Sequence, residues 1–88
     1  MWDDHNIEHI GTHEVKPAEV EQVVFGSATN GPFRDDRNRP GRLVFFGYST
    51  RRRPLVVVTD RPTAMGEAYV VSARNANERE RKKYLEGL

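Results

Sequence analysis

The apolar positions of this chain change period once along its length. Before Gly26 they recur three or four residues apart, as in Ile7 and Ile10 and again in Val20, Val23 and Val24. From Leu43 onward they come in short blocks, Leu43–Tyr48, Leu55–Thr59 and Tyr69–Ala73, rich in β-branched and aromatic residues. The first spacing is that of helices with one buried face, and the blocks are those of strands. A helix is therefore predicted over roughly residues 4 to 12, started by Asp3 or Asp4 as N-cap, with Ile7 and Ile10 sharing the buried face. A second helix is predicted from Pro17, a favoured first helical residue, with Glu19 in its first turn and Gly26 at its end. Val15 and Val20 have the spacing of a hydrophobic staple across its start.

The strand region begins with Asn30–Arg34, where Pro32 suits a sheet edge. Ser49–Arg53 is short enough for a hairpin, and Asp60–Glu67, with Pro62 and Gly66, reads as a longer loop between antiparallel neighbours. A last helix starts at Asn77, which stands three residues before Glu80 as in a capping box, and Glu78 precedes Lys82 by one turn. The order is two helices, three or four antiparallel strands and a closing helix. That is an α+β fold in one domain spanning residues 1–88, with helices covering a face of the sheet.

Charge sharpens this picture. Residues 1–25 hold six acids and one base, whereas residues 26–88 hold seven acids and thirteen bases, mostly arginine. Arginine's planar fork matches phosphate, so the second part of the chain is expected to meet an anion or to pair with the chain's own acids. The absence of cysteine removes disulfides, thiolate metal sites and a cysteine nucleophile. With no apolar run of membrane-span length and an acidic start at Met1-Trp2-Asp3-Asp4, the sequence reads as a cytoplasmic protein.

The junction of the last strand and last helix brings Arg74, Glu80, Arg81 and Tyr84 near one another. A cation, a carboxylate and a phenol at one joint are groups that hold and cleave a phosphodiester without a metal, which points to RNA. Each also has a structural reading: Arg74 tying helix to sheet through Glu80, Glu80 as the capping-box acid, Tyr84 packing the helix down. Arg51, Arg52 and Arg53 crown the hairpin, where phosphate or an acidic partner would offset their repulsion; Arg42 leads into the second strand toward the same cleft. Arg79, Arg81, Lys82 and Lys83 form a basic helix surface, either an RNA-steering patch or a solvated face. His5, His9 and His13 repeat every fourth residue, but no carboxylate completes a metal motif, so no metal or other cofactor is expected.

Three patches resemble the BrnT-like toxins of bacterial type II toxin–antitoxin systems, within the RelE/ParE-like group. They are Trp2-Asp3 with Asn6–Ile10 and His13-Glu14-Val15; Gly47-Tyr48 ahead of the arginine hairpin and Leu55–Val58; and Ser72-Ala73-Arg74 with Ala76, Glu80 and Tyr84. The resemblance covers nearly the whole chain, and its third patch is the most specific. Glu14 and Arg52 stand where that family has glycine, and Lys16 where a capping serine or threonine is common. The resemblance implies a RelE-like fold and an endoribonuclease that cleaves messenger RNA. A cognate antitoxin, a ribbon-helix-helix DNA-binding protein, would silence it. Arg74, Glu80, Tyr84 and His13 become the candidate catalytic residues, and Arg42, Arg51, Arg53, Arg81 and Lys82 the candidate RNA contacts. Two other readings stay open: a nucleic-acid-binding or interaction module without catalysis, and a toxin of the same fold aimed at another target such as a topoisomerase.

Overall fold

In a computed structural model that describes residues 2–11, 14–26, 28–34, 41–60 and 69–87, the chain forms α1 (Asp4–Gly11), α2 (Pro17–Phe25), β1 (Thr29–Arg34), β2 (Leu43–Tyr48), β3 (Pro54–Thr59), β4 (Val70–Asn75) and α3 (Glu78–Glu80). α3 continues directly into a π-helical turn, Arg81–Leu85. The strands form one antiparallel sheet in the order β1-β2-β3-β4. The α+β arrangement expected from the pattern is thus present, with four strands.

Period-two alternation gives the sheet two apolar faces, and each has its own cover. Phe45, Leu55, Val57, Val70 and Ala73 pack beneath Ile10 of α1 and Val20 and Val23 of α2, with Val15 beside them. α1 lies against β4 and α2 against β2 and β3. On the other face Phe46 and Val56 meet Ala76 and Leu85, with Val44, Tyr48 and Tyr84 at the margin. Among the described residues, the eight from Glu78 to Leu85 cover only part of that second face, and a groove lies beside them.

Local signals explain the element starts. Asp3 caps α1 by exchanging bonds with Asn6: Asn6 N–H donates to Asp3 Oδ1 at 2.9 Å, and Asp3 N–H donates to Asn6 Oδ1 at 2.8 Å. This exchange corrects the expected face of α1. Asn6 is buried one turn from Ile10, while Ile7 is 40% exposed. A buried amide is tolerated there because its Oδ1 accepts the cap bond from Asp3 N–H and Asn6 has a further contact of its own. At α2, Val15 and Val20 are both buried around Lys16, whose N–H donates to Glu19 Oε1 at 3.3 Å. Lysine has no acceptor, so only this half of a capping box forms.

Gly47 lets the first face close. A Cβ there would stand 2.7 Å from Thr29 Oγ1 and 2.8 Å from the Ala28 carbonyl, so a side chain would push β1 away from β2. β1 itself is an edge strand, as Pro32 suggested, and its register shifts between Asn30 and Phe33.

Candidate nucleic-acid interface

Arg74 occupies the second face because it pairs with Val56 across the β3–β4 ladder, which puts it on the side of Phe46 and Tyr84. The closing helix is aimed at it by the capping box. Glu80 N–H donates to Asn77 Oδ1 at 2.8 Å, and Asn77 N–H donates to Glu80 Oε1 at 2.9 Å. The same carboxylate takes both ends of the guanidinium: Arg74 Nη1 donates to Oε1 at 2.7 Å and Nη2 to Oε2 at 2.8 Å. Arg74 Nη1 also reaches the Asn75 carbonyl at 3.2 Å. One carboxylate therefore starts the helix and ties it to the sheet.

The pairing sets the charge states. The Arg74 guanidinium, followed by the Asn77 N–H, holds the Glu80 carboxyl below the usual carboxylate range against a smaller opposing effect of burial. Hydrogen bonding to Glu80 raises Arg74 further above its already high value. Glu80 is thus an ionised acceptor with both oxygens occupied and a poor base near neutrality. Arg74 keeps capacity. Of the five N–H groups of a guanidinium, the end-on fork faces Glu80 and the outer Nη1 proton goes to Asn75. Among the described residues no acceptor takes the side-on fork, Nε–H with the second Nη2–H, a geometry that matches a phosphate, and 42% of the side chain is exposed.

Arg74 opens into a groove of about 580 Å³ floored by Val44, Val56 and Val58. Among the described residues Arg34, Arg79 and Lys83 line it with Arg74, so four cations stand there against the one carboxylate of Glu80. Three rings form its far wall. Tyr84 stacks on Phe46 with centroids 3.9 Å apart and planes 11° apart, and Phe33 meets Phe46 edge-on at 5.8 Å and Tyr84 at 5.4 Å. Asn30 Nδ2 donates to the Tyr84 carbonyl at 3.0 Å, fixing the π-turn to β1. That turn closes with Glu86 N–H on the Arg81 carbonyl, a five-residue spacing.

The structure thus brings Arg74, Glu80 and Tyr84 together, as the joint suggested. The other predicted contacts lie elsewhere. Arg53 donates from Nε to Asn75 Oδ1 at 2.7 Å, and from Nη1 to the Glu14 carbonyl at 2.5 Å and to Glu19 Oε1 at 3.1 Å. It is a strut between the hairpin, β4 and the start of α2. Arg51 sits on the hairpin tip beside Lys16, Glu19 and Gln22 of the α2 start. Lys82 pairs with Glu78 at 3.2 Å, the one-turn pair expected from their spacing. Arg81 is exposed and Arg42 half-buried, and neither lines the groove. His13 lies outside the described residues.

Phe33, Phe46 and Arg34 were not singled out from the sequence as site residues. Their signal is strand register, which becomes usable only once β1 is known to pair Phe33 with Val44. Arg79 and Lys83 were part of the basic helix surface. Among the described residues no three His, Asp or Glu side chains converge as metal ligands, and no helix is long and apolar enough to cross a membrane. Comparison with family models, with curated proteins and with solved structures gives no match to this chain.

Proposed function

We propose that this chain is a ribonuclease toxin domain of the BrnT-like type, with a RelE-like fold, acting on messenger RNA through the groove at the joint of β4 and α3. The observation that carries this reading is the open side-on fork of Arg74 in a groove lined by four cations and three aromatic rings. A phosphodiester fits the fork and rim, and the rings suit bases. The resemblance gains support from the backbone. Among the described residues, the two non-glycine residues with positive φ, Glu14 at 59° and Arg52 at 63°, are the two that stand where BrnT-like toxins have glycine.

In this reading the RNA 2′-oxygen attacks the adjacent phosphorus and the bond to the 5′-oxygen breaks, leaving a cyclic phosphate and a 5′-hydroxyl. Arg74 stabilises the charge that develops on the phosphorus oxygens. Glu80 is a positioning residue, since its lowered pKa and full set of bonds suit it to aiming Arg74 rather than to taking a proton. Tyr84 can donate to a phosphate oxygen or to the leaving oxygen. His13, next to Glu14 in the chain, remains the candidate for proton transfer near neutral pH. A cognate ribbon-helix-helix antitoxin is the expected partner.

The lack of an unengaged carboxylate among the groove's described residues favours a second reading, an RNA-binding module of the same fold without catalysis. Incubation with single-stranded RNA in a chelator separates the two. A toxin gives chelator-resistant cleavage that falls roughly 10²-fold in Arg74→Ala. Binding without cleavage leaves the module, and neither binding nor cleavage sinks both.

A further inference from the structure

Of the three rings in the groove wall, two are already used. Phe46 and Tyr84 lie face to face at 3.9 Å, so each covers a face of the other, and Phe46 is buried. Phe33 is the one left 40% exposed, touching its neighbours edge-on or tilted rather than face to face. It stands on an edge strand, between Pro32 and Arg34. Proline and arginine on a sheet edge discourage a further strand from pairing there, so this ring is guarded against sheet extension yet open to a flat ligand.

From this we infer that Phe33 is a base-stacking platform and that the groove takes single-stranded RNA with an unpaired base lying on the Phe33 ring. The inference rests on the RNA-directed reading above and names which nucleic acid the groove accepts. The register sets the path of the strand. Phe33 pairs with Val44, and Val44 with Val58 and Val58 with Ser72, whereas Arg74 belongs to the row of Val56, Phe46 and Asn30. The platform and the guanidinium therefore sit on opposite edge strands and two residues apart along the sheet, a separation on the order of 15 Å between backbones. A base on Phe33 and a phosphate on Arg74 belong to one strand crossing the sheet, with Arg34 and Lys83 along the way. A paired base in a duplex cannot lie flat on the ring, because its faces are already covered by its neighbours in the stack.

The test compares three probes on the full chain: a single-stranded oligoadenylate of about eight nucleotides, an abasic ribose-phosphate strand of the same length, and an RNA duplex. The wild type is expected to bind oligoadenylate roughly tenfold tighter than the abasic strand, the scale of one stacked base. Phe33→Leu, which keeps an apolar side chain and loses the π-face, is expected to bind both strands equally and the abasic strand as the wild type does. Phe33→Trp is expected to keep the preference and to change its fluorescence with oligoadenylate alone, read against the single Trp2 of the wild type. If Phe33→Leu still prefers oligoadenylate tenfold, or the duplex binds as tightly as the single strand, the platform is wrong while RNA binding stands. If Phe33→Leu fails to fold, unchanged fluorescence of Phe33→Trp at saturating oligoadenylate overturns it instead. If the wild type binds no strand, the platform and the RNA reading fall together, and the groove is left to a protein partner.

Discussion

Arg74 and Glu80 make the pivotal pair, and its behaviour follows from which atoms are occupied. The carboxylate is shared between a helix cap and a guanidinium, so one substitution separates the structural role from the functional one. Glu80→Gln keeps an acceptor oxygen for the capping box but removes the charge that holds Arg74. Because the folded pKa of Glu80 lies below its ordinary value of 4.5, the pair's contribution is present above that value and is lost as pH falls through the lowered folded pKa. The partly exposed position of Arg74 keeps the contribution small. At pH 7 Glu80→Gln is expected to destabilise the protein by about 0.5–1 kcal/mol, and below about pH 4 the difference from the wild type should shrink. Urea unfolding at both pH values checks this, and a difference that grows in acid contradicts the pairing. RNA affinity should move the other way at pH 7, because the guanidinium released from Glu80 has both forks for phosphate.

Among the elements, the hairpin and the α1–α2 connection each contain a residue bent into a conformation that suits glycine. Magnitudes separate their consequences. A left-handed side chain costs about 1–2 kcal/mol, and glycine returns about 0.5–1 of that through unfolded-chain entropy. Among the described residues no hydrogen bond or ion pair of the Glu14 side chain offsets the difference, and the carbonyl that accepts from Arg53 survives substitution. Glu14→Gly should therefore raise Tm by about 2–6 °C. Arg52 lies 4.8 Å above the Tyr48 ring, an exposed cation–π contact worth about 0.5–1 kcal/mol. Arg52→Gly should accordingly leave Tm within about 2 °C of wild type. Thermal melts of both variants decide it, and a fall in Glu14→Gly would mean that its side chain holds the connection. The element-level signals in the sequence were local ones: Pro17 and Gly26 bounding α2, Asn77 and Glu80 starting α3, Pro32 placing β1 at the edge. What escaped them depends on tertiary partners. Nothing in the spacing of Ile7 and Ile10 reveals that Asn6 is spent on the Asp3 cap and turns inward. A π-turn at Arg81–Leu85 has no local signature, and the strut role of Arg53 needs Glu14, Glu19 and Asn75 to be in one place. Arg74 was legible because a strand end and a cap flank it; Phe33 was not, because its face depends on register.

Across the whole molecule, folding converts a charge gradient along the chain into one across the sheet. The segment of residues 1–25, with six acids and one base, supplies α1 and α2 over one face. From the basic remainder, Arg34, Arg74, Arg79 and Lys83 line the groove on the other. A polyanion therefore meets an attractive face and a repulsive one, which orients it before contact. The number of cations in the groove then sets how steeply binding depends on salt. Single-stranded RNA gives a log–log slope of roughly −0.7 per phosphate neutralised. Of the four lining cations among the described residues, Arg74 is partly compensated by Glu80 and Arg34 has a contact of its own, so the expected slope is about −1.5 to −2.5. Position decides which substitutions alter it. Lys83→Ala removes a groove cation and should flatten the slope by about 0.7. Lys82→Ala and Arg51→Ala should leave it unchanged, because Lys82 is paired with Glu78 outside the groove and Arg51 sits by the start of α2. Titrations of the three variants with one oligonucleotide at several salt concentrations measure this directly. Equal flattening in all three would mean that RNA meets a diffuse basic surface, and the groove at the β4–α3 joint would then have no special claim on the phosphate.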